Sequence, residues 1–276
     1  MNEYKNKFGE IIDLKDVTEK YFSNWKINDI AKQYNCSWQQ IGKIIWKEIP
    51  SRRVRKYKYD IDHNYFNNIN NEKKAYIIGF LCADGCISKK CDSELSIGLQ
   101  SRDISILEFI KSELESNSPI DFYFYKNKEY CRISFYSKQI CDDLKSIGCG
   151  PLKSKNLIWI GDNLPSNLIS HFIRGYFDGD GHFSFWMYKK KYLKAHFNIT
   201  STLKFCEGLS NFIHNIFGYK FYMSKRNKQS LTDNRTIELS GNKQIITILN
   251  WIYNNSTIFL KRKKEAFDEF IKIYEQ

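Results

Sequence analysis

The sequence predicts an α+β protein built as a pseudo-twofold duplication, with each half running helix, two strands, helix, two strands, helix behind a small N-terminal helical domain. Three observations predict it. Two distant stretches, Ala75-Tyr-Ile-Ile-Gly-Phe-Leu-Cys-Ala-Asp-Gly85 and His171-Phe-Ile-Arg-Gly-Tyr-Phe-Asp-Gly-Asp-Gly181, repeat one another. Each is followed by the same succession of alternating, aromatic-rich segments and helical segments. A finer echo then recurs: Ile133-Ser-Phe-Tyr-Ser-Lys-Gln-Ile140 parallels Ile237-Glu-Leu-Ser-Gly-Asn-Lys-Gln-Ile245, and Leu99-Gln-Ser101 parallels Ile199-Thr-Ser201. An internal repeat of this kind implies two similar half-molecules.

In front of the repeats, Asp13 to Asn24 can form a helix and Ile27 to Gln33 a second. Tyr34 to Cys36 makes a turn, and Ser37 suits the N-cap of a third helix from Trp38 to Trp46. The pattern fits a helix-turn-helix, whose second helix would present Ser37, Gln39, Gln40 and Lys43 to a major groove. It also fits a helical hairpin that only packs; the charge that follows favours DNA. That charge is Arg52, Arg53, Arg55, Lys56 and Lys58, suited to phosphates or to a solvated linker. The expected domains are therefore 1–60, 61–165 and 166–276.

Strands are expected at Glu94 to Gln100, Phe122 to Tyr125, Tyr130 to Tyr136, His182 to Tyr188, Tyr192 to Thr200, Tyr219 to Ser224 and Thr236 to Ser240. Helices are expected at Ile104 to Ser116, Gln139 to Ser146, Leu203 to Phe217 and Gln244 to Asn254. Pro119, Pro151 and Pro165 punctuate the first half and the approach to the second motif.

The doubled motif carries the chemistry. Gly79 matches Gly175, Ala83 matches Gly179, Asp84 matches Asp180 and Gly85 matches Gly181. Small residues four apart line one face of a helix, and a face without bulk lets another backbone come close. Packed face to face, the two helices would end with Asp84 and Asp180 side by side. A helix C-terminus carries partial negative charge, so an acid there is disfavoured. Two converging acids need a cation between them, and Mg²⁺ with its oxygen ligands is the natural one. Departures from local rules mark functional sites. One copy alone would read as an Asp-Gly turn after a buried helix; the doubling argues against that. Gly85 and Gly181 would let the backbone turn sharply after each acid.

Composition narrows the partner. Among 276 residues, 43 Lys and Arg oppose 31 Asp and Glu, a formal charge of +12. Such an excess favours a polyanion. No run reaches membrane-spanning length and no signal-peptide pattern opens the chain, so nucleic acid is preferred over a membrane. Of eight cysteines, Cys82, Cys86 and Cys91 lie close together, but with no C-x-x-C pair and no matching His pair. Free thiols in a reducing compartment are expected: bacterial cytoplasm, phage genes included, or an organelle matrix, without secretion. Abundant Asn, Lys and Ile fit an A·T-rich genome.

The two motifs resemble the signature of the LAGLIDADG homing endonucleases in their single-chain, two-repeat form, over roughly residues 72 to 276. Ile173-Arg-Gly-Tyr-Phe-Asp-Gly-Asp-Gly181 is very close to the family pattern; the first copy departs at Cys82, where the second has Asp178. The resemblance implies a duplicated αββαββα homing-endonuclease fold whose two saddle-shaped antiparallel sheets lie along the major groove. It implies a monomeric, sequence-specific double-stranded DNA endonuclease using Mg²⁺, with Mn²⁺ as a substitute, at a long asymmetric site. Asp84 and Asp180 would be the metal ligands, leaving Asp178 to hydrogen-bond locally without a counterpart in the other half. Lys138 and Lys243, at strand-to-helix junctions, would be the paired catalytic-pocket bases, or else surface lysines at helix starts. Gln100, Ser101, Thr200 and Ser201 would position water. Lys126, Lys128, Arg132, Lys189, Lys191, Lys194, Lys225, Arg226 and Arg235 would read bases or touch phosphates, and the stretch Lys261, Arg262, Lys263 and Lys264 would contact the DNA backbone. The same scaffold also admits an RNA maturase acting on an intron transcript, or a non-cleaving DNA-binding regulator, although the latter usually lacks one or both acids. The chain ends without a protein-splicing junction, so a free-standing or intron-encoded protein is expected rather than an intein.

Overall fold

The computed structural model describes residues 4–23, 25–49, 58–225 and 233–276. The chain divides into two compact units, Met1–Tyr57 and Lys58–Gln276.

The N-terminal unit opens with a short antiparallel pair, β1 (Tyr4–Lys5) and β2 (Ile11–Ile12), which no alternation in the sequence announced. Three helices follow: α1 (Leu14–Phe22), α2 (Ile27–Gln33) and α3 (Trp38–Glu48). Asp13 is not helical; it caps α1 by accepting from the amides of Lys15 and Asp16. Ser37 caps α3 through the Gln40 amide, as its short polar side chain suits it to do. Ile41, Ile44 and Ile45, spaced to share one face of α3, join Val17, Tyr21, Ile30 and Ala31 in a core of the unit's own.

The second unit is built on the motif helices, α4 (Glu72–Asp84) and α8 (Ile169–Asp180), each buried along nearly its whole length. A Cβ placed on Gly79 would stand 2.0 Å from the Phe172 carbonyl oxygen and 2.9 Å from the Tyr176 nitrogen. One on Gly175 would stand 2.0 Å from the Tyr76 oxygen and 2.9 Å from the Phe80 nitrogen. Each glycine thus meets the backbone three residues before and one after its counterpart, the same offsets in both directions, as a local twofold relation requires.

Flanking these helices are two four-stranded antiparallel sheets of matching order. In the first half β3 (Gly85–Ile87), β4 (Glu94–Gln100), α5 (Ile104–Glu113), β5 (Ile120–Tyr125), β6 (Lys128–Tyr136) and α6 (Lys138–Ile147) follow α4. The sheet runs β3-β4-β6-β5. A short helix, α7 (Lys153–Asn156), leads towards α8. In the second half β7 (Gly181–Tyr188), β8 (Tyr192–Thr202), α9 (Leu203–Phe217), β9 (Tyr222–Lys225), β10 (Asn234–Leu239) and α10 (Asn242–Tyr253) repeat the sequence of elements, in the sheet order β7-β8-β10-β9. A further helix, α11 (Lys261–Tyr274), buries Phe267 and Phe270 beneath β7; the sequence reading had only a basic stretch there. Burial alternates along the central strands, as in Leu95, Ile97 and Leu99 of β4 or Cys131, Ile133 and Phe135 of β6. One face of each sheet therefore packs on helices and the other is left to solvent.

Candidate active site

Both motif helices stop at the aspartate, Asp84 in one and Asp180 in the other. Neither has a basic residue in its last turn, so their terminal carbonyls must be satisfied from elsewhere. Two lysines do this. Lys153, at the start of α7, donates to the Ala83 carbonyl. Lys263, in the first turn of α11, donates to the carbonyls of Phe177 (2.5 Å), Asp178 (2.8 Å) and Gly181 (2.6 Å). The expectation for Gly85 and Gly181 is corrected. Their φ angles are −71° and −92°, open to any residue. What they lack is room: a Cβ on Gly181 would stand 2.2 Å from the Phe177 ring and 2.5 Å from its carbonyl oxygen, and one on Gly85 2.7 Å from the Leu81 oxygen.

The carboxylates feel one another. Burial and then the charge of Asp180 push the Asp84 carboxyl up to about 6, against the opposing pull of Lys153 and Lys263. Burial draws the Lys263 ammonium down to about 8, against the charges of Asp178, Asp84 and Asp180. At neutral pH the half-buried Asp84 is thus largely ionised beside a second, exposed carboxylate, an arrangement a divalent cation relieves. Hard carboxylate oxygens suit Mg²⁺, Mn²⁺ or Ca²⁺. Among the described residues no cluster of three or more His, Cys, Asp or Glu side chains forms. The protein would supply Asp84 and Asp180, with water completing the shell, as Mg²⁺ commonly keeps several waters.

Beside Asp180 lies a cavity of about 250 Å³ lined in part by Cys82, Lys153, Tyr176, Thr200, Ser201 and Asn234. Thr200 and Ser201 therefore line the same cavity as Asp180. Ser201 Oγ accepts from the Tyr176 hydroxyl at 2.8 Å, and Thr200 Oγ1 shares a 3.0 Å hydrogen bond with Thr236. In the other half Gln100 ends β4, and the Ser101 hydroxyl is buried with no hydrogen-bond partner among the described residues.

The basic groups acting on Asp84 are Lys153 and Lys263, whereas Lys138 and Lys243 lie elsewhere. Lys138 opens α6 with its ammonium 2.8 Å from Asp142 one turn on, and Lys243 is exposed on the first turn of α10. A signal for the lysines that do reach the site was present. Leu152-Lys-Ser-Lys155 and Leu260-Lys-Arg-Lys263 echo one another after the last helix of each αββαββα unit, yet one half uses the first lysine and the other the second.

Asp178 also departs from expectation. It bonds at long range, accepting at Oδ2 from the Tyr76 hydroxyl of the other half (2.9 Å) and from the Leu260 amide (2.7 Å). His182, two residues beyond Asp180, is the second residue of β7, on its open face, with its ring 6.4 Å from that of His196. The sequence reading did not single it out.

Several expected DNA contacts stand on the open sheet faces or in the hairpin turns. Arg132 lies on the solvent face of β6, 3.1 Å from Ser96 Oγ. Lys126 occupies the β5–β6 turn, and Lys189 and Lys191 the β7–β8 turn, each ammonium over a neighbouring tyrosine ring at 5.3, 5.4 and 5.4 Å. Others are turned away or already engaged. Arg235 shares the helix-facing side of β10 with Ile237 and pairs with Asp233 at 2.5 Å; Lys225 sits opposite it on that same side. Arg262 forks onto Asp103 with contacts of 3.2 and 3.3 Å. Lys261 is exposed and 3.7 Å from Glu265, while Lys263 is buried at the end of α8 rather than turned to a phosphate. In the N-terminal unit Gln39 and Lys43 are exposed on α3, but the Gln40 amide donates to the Lys5 carbonyl at 2.7 Å and holds β1. Arg52, Arg53, Arg55 and Arg226 lie outside the described residues.

No protein-family model and no curated protein matches this sequence. Solved structures do match its fold. The LAGLIDADG homing endonuclease I-GzeII, in complex with its DNA target, aligns over 75% of this chain and 90% of its own with a TM-score of 0.51 at 18% identity. The LAGLIDADG meganuclease I-AabMI, bound to uncleaved DNA, aligns over 75% and 91% with a TM-score of 0.50 at 13% identity. The chain has the LAGLIDADG homing-endonuclease fold, in its single-chain form with both halves in one polypeptide.

Proposed function

We propose that the protein is a site-specific, divalent-metal-dependent double-stranded DNA endonuclease of the homing type. The observation that carries this reading is the meeting of Asp84 and Asp180 at the ends of two abutting helices, flanked by sheets that carry Arg132 on an open face and Lys126, Lys189 and Lys191 in their hairpin turns. Mg²⁺, with Mn²⁺ as a substitute, would activate water and neutralise charge at the scissile phosphate. The protein's own part is to hold the two carboxylates together and to keep Lys153 and Lys263 beside them. A chain carrying both halves of the site acts as a monomer on an asymmetric target.

Cleavage of a randomised duplex library tests the reading. The purified chain with Mg²⁺ is expected to enrich one long site, and Mn²⁺ to support the same cut. Failure to cut any duplex with either metal would sink it, and selective binding of an intron transcript would then favour a maturase.

The N-terminal unit is proposed as a second DNA contact, made through the exposed Gln39 and Lys43 of α3. Gln39→Ala with Lys43→Ala in the full chain is expected to weaken target binding about tenfold or more and to lower its salt dependence. The cut position should stay the same while the protected DNA segment shortens. An unchanged footprint would leave α3 a packing helix.

A further inference from the structure

Resting on the endonuclease reading, we infer that Asp178 is a positioning residue: it ties down the segment entering α11 and thereby sets where Lys263 stands. Residues 257–260, between α10 and α11, form a strap held to the motif helices by three anchors. Glu72 accepts from the Thr257 amide at 2.6 Å and from its hydroxyl at 2.9 Å. Arg174, fully buried, donates to the Ile258 carbonyl at 2.9 Å and to that of Ile252 at 2.7 Å, and pairs with Glu72 at 2.7 Å. Asp178 then accepts from the Leu260 amide at 2.7 Å. Leu260 is the N-cap of α11, so this bond fixes where the helix begins. Lys263 follows within the first turn, with its ammonium on three carbonyls at the end of α8.

A carboxylate 1% exposed is costly unless it is needed. The bond from Tyr76 alone would be met by any small acceptor, and the matching place in the first half holds an uncharged cysteine, Cys82. Its thiol contacts that of Cys149, in the connection leading to Lys153. In both halves, then, the residue two before the metal-site acid grips the connection that delivers the lysine. Only the second half does so with a charged acceptor.

Three variants separate this role from general stapling of the two halves. Asp178→Ala removes both of its bonds. Tyr76→Phe removes the inter-half bond and leaves the Leu260 bond. Asp178→Asn keeps an acceptor for Leu260. On the cleaved target, Asp178→Ala is expected to lower kcat about 10²-fold with little change in KM, the size of effect that follows from misplacing a group by an ångström. Tyr76→Phe should lose far less, and Asp178→Asn should recover most of the activity. In a Lys263→Met background, Asp178→Ala should cost almost nothing further, because the two act as one unit. Should the alanine variant not fold, Asp178→Cys takes its place, since the first half tolerates that residue there. Additive losses, or an equal loss in Tyr76→Phe, would overturn the assignment.

A second readout is independent of cutting. Acylation of Lys263 by a water-soluble amine-reactive ester, mapped by mass spectrometry, should be slow in the wild type and in Tyr76→Phe, and several-fold faster in Asp178→Ala. Unchanged reactivity refutes the tether. If no duplex is cleaved at all, the endonuclease reading fails while this measurement still decides whether Asp178 places the lysine.

Discussion

Asp84→Asn and Asp180→Asn are each expected to abolish cleavage while leaving duplex binding intact. On the proposed reading each carboxylate is half of the protein's contribution to the metal shell, so the loss should exceed the roughly 10- to 100-fold typical of a metal's outer partners. Binding should persist because, on the same reading, phosphate attraction comes from lysines and arginines of the sheets and their turns, and removing a negative charge only lessens repulsion. Retained cutting by either variant would displace that aspartate from the metal site.

The same substitution has a signature without DNA. Asp84 titrates at about 6 in the fold, above its ordinary 3.8, because it is buried beside Asp180. Between those two pH values the folded chain holds a proton that the unfolded chain has released. The metal-free protein therefore loses stability as pH rises through this window, by roughly 3 kcal/mol at most. Metal-free Asp84→Asn should melt higher than wild type at pH 7, and the two should converge below about pH 4. Mg²⁺ should raise the wild-type melting temperature and have little effect on the variant. Matching melting curves across that range would show that the carboxylate is not destabilised in the fold.

The largest stability effect should come from Gly79→Ala and Gly175→Ala. Alanine in place of glycine ordinarily gains a helix about 1 kcal/mol. Here each added methyl would stand 2.0 Å from a backbone oxygen of the partner helix, and rigid backbone cannot rotate aside as a side chain can. Ordinary overpacking costs about 1–3 kcal/mol, and a clash with backbone belongs above that, at about 4 kcal/mol or more. The clash wins over the propensity. For a unit of this size the melting temperature should fall by roughly 10 °C. Because α4 and α8 belong to opposite halves, both halves should unfold together. A shift of less than about 2 °C in either variant would mean that the helices separate freely.

Much of this was legible in the sequence because it is encoded in short-range pattern. The spacing of Gly79 to Ala83 and of Gly175 to Gly179 specifies a bulk-free helix face, and a doubled face has only one economical partner. The alternation of β4, β6, β8 and β10 fixes which side of each strand is apolar, and Ser37 could be read as a cap because capping is decided within a few residues. Arg235 was misjudged although its register was available: it shares parity with Ile237 and Leu239, so its strand turns it towards the helices.

The lysines could not be chosen that way. A lysine ammonium rides on a flexible stem, and whether it reaches the acids depends on how a connection far along the chain is held. Lys138 found Asp142 one turn along its own helix, whereas Lys263 reaches α8 because Glu72, Arg174 and Asp178 fix residues 257–260. Gln40 and Arg262 were taken up by Lys5 and Asp103, 35 and 159 residues away along the chain. The sequence by itself determined the duplication, the two glycine-faced helices and the pair of acids that ends them, since periodicity and helix polarity are local properties. The tertiary structure alone decided which basic groups serve those acids and which surface charges remain open to DNA, because both depend on contacts between residues that are neighbours only after folding.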